Sequence, residues 1–163
     1  LAGSGEDSRP EATRYVADVL KKRRDAIGRY WFDRITPLEE FALTRESAAY
    51  RLSFRDLALE RGFARPENRA YRFWLATADG VKLGAVETTA PGRRHIDLPH
   101  ERLQEAGRPK LPADAYGRIP SMRLLIQSSS AADPQALPVE VVLGYSEGRT
   151  ELEVLEWRHA PQK

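Results

Sequence analysis

The chain of 163 residues contains no cysteine, and this absence excludes several kinds of chemistry. Disulfide bonds, thiolate metal sites, iron–sulfur clusters and a cysteine nucleophile all require a thiol. The sequence also lacks an uninterrupted run of 18 apolar residues, which excludes a transmembrane helix within it. Its 26 basic and 24 acidic residues give a formal net charge of only +2, so composition does not indicate a nucleic-acid-binding protein.

Motifs for common catalytic chemistry are also absent. The sequence has no glycine-rich phosphate loop and no Gly-x-Ser-x-Gly nucleophile elbow. Ser128, Ser129 and Ser130 form a serine run with no histidine close in sequence. Glu39 and Glu40 are adjacent, so on a helix their carboxylates would point apart and could not act on one bond. We therefore expect a non-enzymatic protein without a cofactor.

The composition suits one globular domain, with 41% apolar and 31% charged residues. At this length a chain buries roughly 70% of its unfolded surface. No long linker divides the sequence. We therefore expect a flexible tether over residues 1–9 and a single α+β domain over residues 10–163.

The strongest local pattern predicts an amphipathic helix over residues 9–31. Ser8, Pro10 and Glu11 have the arrangement of a helix start, and apolar residues then recur at helical spacing, interrupted at Arg23. We expect this stripe to pack on a sheet or on another helix, and Gly28 to weaken the last turn. The apolar positions are Ala12, Tyr15, Val16, Val19, Leu20, Ala26, Ile27, Tyr30 and Trp31.

The rest of the chain alternates between apolar and polar residues, which is typical of strands. The alternation near Tyr50 extends past Asp56 to Leu59, and Asp79-Gly80 predicts a hairpin turn. Short helices are expected over residues 37–42 and 99–106, and loops over 108–120 and 128–137. The fold class is therefore α+β: the N-terminal helix precedes a mostly antiparallel sheet or sandwich of about six or seven strands. The strands are expected over residues 50–54, 70–77, 81–88, 95–98, 122–127, 138–145 and 150–157.

The first four residues, Leu1-Ala2-Gly3-Ser4, resemble the lipobox of bacterial lipoproteins, Leu-Ala-Gly-Cys. Ser4 stands where that family has its lipidated cysteine, so the resemblance implies a native cysteine at position 4. It implies a protein on the periplasmic side of a bacterial membrane, and Gly5 would permit delivery to the outer membrane. A linker left by cloning is the other interpretation of these small residues.

Two tryptophan–arginine pairs suggest a surface for a partner. Arg72 lies close to Trp74 on one predicted strand, and Arg158 directly follows Trp157, the last residue of another. Exposed aromatic and arginine side chains are typical of protein interfaces. The alternative is that these aromatic rings cover a sheet that is buried on both faces.

A second cluster carries ligand types that zinc prefers. His95, Asp97 and His100 lie within six residues, and Glu101 follows them. His95 and Asp97 would share one face of a strand. The alternative interpretation is that Asp97 caps the short helix that follows it.

The densest basic run consists of Lys21, Lys22, Arg23 and Arg24. It could contact phosphates or acidic lipid headgroups. On a helix, however, four consecutive residues spread around one turn. We therefore expect a solvated face.

The function predicted from these features is that of a bacterial cell-envelope lipoprotein. It would be a non-enzymatic accessory to a secretion, transport or surface-assembly system. Other envelope proteins would be its partners, a lipid anchor would hold it to the membrane, and it would bind no nucleic acid. The alternative is a soluble ligand- or metal-binding domain, or a hydrolase, using residues 95–101. A third possibility is a cytoplasmic nucleic-acid-binding module using residues 21–24.

Overall fold

The computed structural model describes residues 8–32, 34–107, 121–129, 136–146 and 151–159. The predicted loop over 108–120 lies outside these residues, as do most of the predicted loop over 128–137 and the first seven residues of the tether. The helices are α1 (Ser8–Phe32), α2 (Leu57–Glu60) and α3 (His100–Gly107). The strands are β1 (Leu38–Arg45), β2 (Ala49–Asp56), β3 (Ala70–Ala76), β4 (Lys82–Thr88), β5 (His95–Pro99), β6 (Met122–Ser129), β7 (Val139–Gly144) and β8 (Glu153–His159).

These strands form two antiparallel sheets. One sheet has the order β1-β2-β5 and the other has the order β4-β3-β6-β7-β8. The α+β prediction, an N-terminal helix followed by antiparallel sheets, is confirmed. The described residues contain eight strands, because β1 lies where the sequence predicted a helix.

The hairpin between β3 and β4 forms as predicted. Gly80 has a φ of +89°, a left-handed conformation that favours glycine. The N–H of Thr77 donates to the carbonyl of Val81 at 2.9 Å and closes the turn.

The predicted helix over residues 37–42 is wrong. Strand β1 occupies this position and pairs with β2, with Leu43 opposite Leu52. Thr36, directly before this segment, is a residue type that often caps a helix start, but its hydroxyl accepts a hydrogen bond from the N–H of Ser128 at 2.9 Å. A long-range contact has therefore taken the group on which a local helix start depended.

The predicted continuation of the β2 alternation to Leu59 is also wrong. Asp56 ends the strand, and its carboxylate accepts a hydrogen bond from the N–H of Ala58 at 2.8 Å. This cap starts α2, a single helical turn. The second short helix, α3, forms over His100–Gly107, one residue further along the chain than the predicted 99–106.

The core lies between the two sheets. Phe54 of β2 meets Tyr71 of β3 edge-on, with ring centroids 4.8 Å apart. At the edge of the sheets, Phe41 of β1 and Trp157 of β8 lie 5.5 Å apart. Burial of such side chains supplies the main stabilising free energy of the fold. The buried cluster contains Leu38, Leu52, Phe54, Tyr71, Phe73, Leu75, Leu83, Ile96, Leu98, Leu103, Met122, Leu124, Ile126, Val139, Val141, Leu143 and Leu152.

Helix α1 forms as predicted, but its apolar stripe does not pack on the sheets. The helix begins at Ser8, so Ser8 and Arg9 belong to it rather than to the tether. The large apolar side chains of α1 are exposed, and none of them belongs to the core cluster. The expectation that this stripe covers a sheet is therefore wrong for the described structure.

Candidate functional site

Seven of the ten exposed large apolar side chains of the described residues lie on α1 and form its exposed stripe. It contains seven large side chains, whose exposure ranges from 44% for Val19 to 71% for Tyr15. A helix of 25 residues is roughly 37 Å long. Contiguous apolar surface of this kind marks interaction sites in folded proteins. The seven residues are Tyr15, Val16, Val19, Leu20, Ile27, Tyr30 and Trp31.

The protein body contacts the other side of α1. Asp25, Gly28 and Phe32 are half-buried and share one helix face. At 100° per residue this face lies roughly opposite the exposed stripe. Most of the stripe therefore points away from the sheets, and Ile27, at its border, also lines a cavity beside Phe63.

Gly28 holds α1 against the body. A Cβ atom at position 28 would lie 2.5 Å from Cζ of Phe63, so the ring occupies the space that a side chain would need. Phe32 meets the same ring edge-on, with centroids 5.2 Å apart. Gly28 therefore provides a contact surface for Phe63. The sequence does not predict this contact, because the two residues are 35 positions apart.

The charges of α1 are predominantly basic. The helix has seven basic residues against three acidic ones. Within the basic run, Arg24 pairs with Asp25 at 2.6 Å. Arg23 is exposed within the apolar stripe and forms no ion pair with any described residue. The run spreads around the helix as expected.

The candidate metal ligands do not form a metal site. Two arginines bind both oxygens of the Asp97 carboxylate: Arg51 Nε donates to Oδ1 at 2.8 Å, and Arg93 Nη2 donates to Oδ2 at 3.0 Å. The hydrogen bond from Arg51 is the main reason that the pKa of Asp97 lies below its ordinary value. His95 Nε2 accepts a hydrogen bond from Arg93 Nε, while the ring of His100 lies against Tyr50. The arginines beside Asp97 and His95 repel a metal ion.

The rest of the described ranges also lack a metal site. No group of three His, Asp or Glu side chains there could hold a metal ion. Asp97, proposed as an alternative to cap a helix, instead bonds the side chains of Arg51 and Arg93.

The predicted partner surface is divided between two faces of the five-stranded sheet. Trp157 pairs with buried Val141 and lies on the inner face. Trp74 and Arg158 lie on the outer face, because the pairing Trp74–Leu125–Glu140–Arg158 runs across four strands.

Arg72 shares the outer face with Trp74, two positions along β3. Arg158 is held by an ion pair with buried Glu140 at 3.2 Å, and Arg123 binds the same carboxylate oxygen at 3.0 Å. These four predicted residues therefore do not form one continuous patch.

A buried polar cluster lies at the end of β2. The Tyr71 hydroxyl donates to Oδ2 of Asp56 at 2.6 Å, and Arg69 Nε donates to the same oxygen at 2.8 Å. Asp56 and Tyr71 are fully buried, and Arg69 is 2% exposed. Burial, followed by the negative charge of Asp56, raises the pKa of Tyr71 well above its ordinary value. The sequence contains a signal for this cluster: Asp56 lies two positions after Phe54, so both side chains point to the same, inward face of β2.

Other candidates for catalysis have structural partners. Ser128 is buried, and its N–H is bonded to Thr36. Glu39 and Glu40 both bind Arg55, at 3.4 and 2.6 Å. Ser128 and these two carboxylates are therefore engaged with other groups of the fold.

Two cavities lie between α1 and the segment that follows β2. A cavity of about 370 Å³ is lined by Arg24, Ile27, Gly28, Phe32, Arg61 and Phe63. A neighbouring cavity of about 270 Å³ is lined by Phe32, Ala58, Phe63, Ala64, Arg65, Asn68 and Arg69. Phe32 and Phe63 line both, so the two cavities are neighbours, and we call them together the α1 groove.

Among the helices of the described residues, none has both the length and the apolar character that crossing a membrane requires. Ser4, the lipobox position, lies outside the described residues. The chain matches no known protein family, no curated protein and no solved structure.

Proposed function

We propose that this protein is a non-enzymatic accessory of the bacterial cell envelope that contacts another envelope protein through α1. The observation that carries the proposal is the exposed stripe of seven large apolar side chains. Leaving such surface in water costs about 25 cal/mol per Å², so a partner that covers it gains affinity. An amphipathic helix of this kind binds by placing its apolar face in a hydrophobic groove.

The charge of α1 favours an acidic partner over a second copy of the chain. The basic run at residues 21–24 lies near the middle of the 25-residue helix. Of this run only Arg23 lies within the stripe, and self-pairing through the stripe, parallel or antiparallel, would place Arg23 of one copy close to Arg23 of the other. Opposed like charges are unfavourable, whereas an acidic groove would attract the helix.

Arg23 favours a protein partner over a lipid surface. Its side chain interrupts the apolar stripe between Leu20 and Ile27. Immersing this charge among acyl chains is costly, whereas a protein groove can provide a carboxylate opposite it. The proposed partner is therefore an envelope protein with an apolar groove and an acidic group near its centre.

The lipobox resemblance places this contact next to a membrane. With a lipidated cysteine in place of Ser4, Ser8 would lie at most about 14 Å from the anchor along the chain. Helix α1 would then be presented at the periplasmic side of a bacterial membrane, with the outer membrane favoured by Gly5. Such tethering raises the effective concentration of the helix for partners in the same membrane.

Photo-crosslinking in intact cells tests the partner. A photoreactive phenylalanine analogue at Leu20, within the stripe, should form a crosslink to one envelope protein that mass spectrometry identifies. The same analogue at Lys21, on the polar side, is the matched control and should give little product. Crosslinks to lipid alone, to a second copy alone, or equally from both positions would overturn the proposal.

Purified components test the role of the charge. Arg23→Glu should weaken binding to the identified partner by about tenfold, because it reverses a charge inside the contact. Arg14→Glu makes the same change in net charge on the polar face of α1 and should have a smaller effect. Equal weakening by both would show general attraction and would contradict the proposed groove.

The anchor has a separate test. The native coding sequence should contain a cysteine codon at position 4, preceded by a basic and apolar export leader. A serine codon there would remove the tether from the proposal. It would leave the crosslinking result unaffected.

A further inference from the structure

Arginine side chains line both cavities of the α1 groove. Arg24 and Arg61 border the cavity of about 370 Å³, and Arg65 borders the cavity of about 270 Å³. Arg69 also lines the second cavity, but a buried ion pair already balances its charge, and Arg24 is paired with Asp25 at 2.6 Å. No carboxylate of the described residues lines either cavity. Both cavities are therefore bordered by positive charge.

The charges of Arg61 and Arg65 are not neutralised by ion pairs. Both side chains are exposed, and neither forms an ion pair with any described residue. Glu60 lies next to Arg61 in the sequence, but both of its carboxylate oxygens accept hydrogen bonds from Arg55 at 2.7 Å. Each cavity therefore has one arginine that is available to an acidic group from outside.

Two aromatic rings lie between the cavities. Phe32 and Phe63 line both of them. The backbone fixes the position of this wall, because the N–H groups of Phe63 and Ala64 donate to the carbonyl of Ala58 at 2.8 and 3.0 Å. A ligand therefore meets a preformed apolar wall with one unpaired guanidinium group in the cavity on either side, and preformed sites bind at a lower entropic cost.

We propose that the α1 groove binds an acidic, extended peptide segment of another protein. One carboxylate of the segment would pair with Arg61 and another with Arg65, since the planar guanidinium group matches carboxylate geometry. An apolar side chain between the two carboxylates would contact Phe32 and Phe63. This site shares only Ile27 with the exposed stripe, and it does not depend on the partner proposed for that stripe.

The arrangement of the charges favours a peptide over other anions. A small anion would occupy one cavity only, because the rings lie between the two. Nucleic acids bind along basic tracks that neutralise several successive phosphates. Here two unpaired arginines flank half-buried apolar rings, which suits two carboxylates separated by an apolar side chain.

An NMR titration of the ¹⁵N-labelled chain tests the proposal. The probe is the peptide Glu-Glu-Phe-Glu-Glu, blocked at both ends, and the amide signals of Gly62, Phe63 and Ala64 should shift and saturate. The peptide Gln-Gln-Phe-Gln-Gln should bind about tenfold more weakly, because it lacks the charges. Glu-Glu-Gly-Glu-Glu, which lacks the apolar side chain, should also bind more weakly. Equal binding of either control peptide would overturn the proposal, as would no saturating shift at millimolar concentration.

Variants locate the two charges. Arg61→Gln and Arg65→Gln should each weaken binding of the acidic peptide by about fivefold, and circular dichroism should show an intact fold, because neither side chain has an ion pair to lose. Arg72→Gln removes the same charge from the outer face of the five-stranded sheet and should leave the affinity unchanged. Equal weakening by all three variants would show general attraction, and an effect of only one groove arginine would contradict the paired arrangement.

A short single-stranded oligothymidylate tests the competing polyanion. It carries a similar number of negative charges on phosphates, with bases in place of the apolar side chain. We expect it to shift the same amide signals less, and to bind more weakly, than the acidic peptide. Tighter binding of the oligonucleotide at Gly62, Phe63 and Ala64 would overturn the peptide assignment.

Discussion

The ring of Phe63 occupies the position that a side chain at Gly28 would fill, since a Cβ there would lie 2.5 Å from Cζ of the ring. This contact joins α1 to the segment between α2 and β3, and the core cluster includes no residue of α1. We therefore expect that a change at the contact between α1 and Phe63 can loosen the helix without unfolding the sheets. The exposed stripe depends on this attachment for its orientation.

Gly28→Ala should displace the Phe63 ring without unfolding the sheets. Alanine raises helix propensity by about 1 kcal/mol, so far-UV circular dichroism should show equal or greater helix content. The added methyl group collides with the ring, so amide hydrogen exchange should become faster over residues 61–64. Ala26→Ser, on the exposed side of the helix, is the control and should leave this exchange unchanged. Unchanged exchange in Gly28→Ala would contradict the described contact.

The buried ion pair between Asp56 and Arg69 should be costly to break from one side. Asp56→Leu leaves the guanidinium group of Arg69 buried and unpaired, and we expect it to lower the free energy of unfolding by about 3–5 kcal/mol. The double variant Asp56→Leu/Arg69→Met removes both charges. It should be more stable than Asp56→Leu, although it still lacks the cap of α2, which is worth about 1 kcal/mol.

Urea denaturation measures this difference between the single and double variants. A double variant as unstable as Asp56→Leu would show that the loss comes from packing or from the α2 cap. In that case the ion pair would not be the cause.

Tyr71 should make stability fall at alkaline pH. Burial raises its pKa above the ordinary value of 10.0, so the unfolded chain loses the phenolic proton before the folded protein does. The stabilising contribution is fully present below pH 10 and is lost as pH rises toward the higher pKa of the folded state. Tyr71→Phe should cost about 1.5–3 kcal/mol at neutral pH, because it removes a hydrogen bond to a carboxylate.

The free energy of unfolding of Tyr71→Phe should then depend less on pH above about 10 than that of the parent chain. Urea denaturation of Tyr71→Phe and of the parent chain at pH 8 and at pH 11 measures this difference. Parallel pH profiles would contradict a buried, protonated phenol at this position.

The elements that sequence reasoning found are those with a local pattern. The period of α1, the alternation of β3 and β4, and the turn at Asp79-Gly80 are all encoded within a few consecutive residues. By contrast, β1 was missed because Thr36 and Pro37 form a local helix-start signal. The tertiary contact of Thr36 with Ser128, 92 positions away, overrides that signal.

The candidate site could be predicted only in part. The apolar stripe of α1 was evident, but its exposure was not, because a helix pattern does not specify what covers it. The α1 groove depends on Phe63 meeting Gly28, and Arg69 lies beside Asp56 only after β2 and β3 come together. Contacts between distant positions leave no local pattern in a single sequence.

Asp97 should make stability fall at acidic pH. Its hydrogen bond with Arg51, followed by the nearby positive charges, holds its pKa below the ordinary value of 3.8. The contribution is present above pH 3.8 and is lost as pH falls through the lower pKa of the folded state. Glu60, bonded to Arg55, has a lowered pKa and acts in the same direction.

Asp97→Asn should therefore reduce the pH dependence without abolishing it. At neutral pH the variant should lose no more than about 1 kcal/mol, because these ion pairs are partly exposed. Between about pH 5 and pH 3 its free energy of unfolding should fall less steeply than that of the parent chain. Denaturation in urea at these two values measures both slopes, with Glu156→Gln, an exposed carboxylate on β8, as the control. If Asp97→Asn and the control had the same slope, the ion pairs with Arg51 and Arg93 would contribute nothing to acid stability.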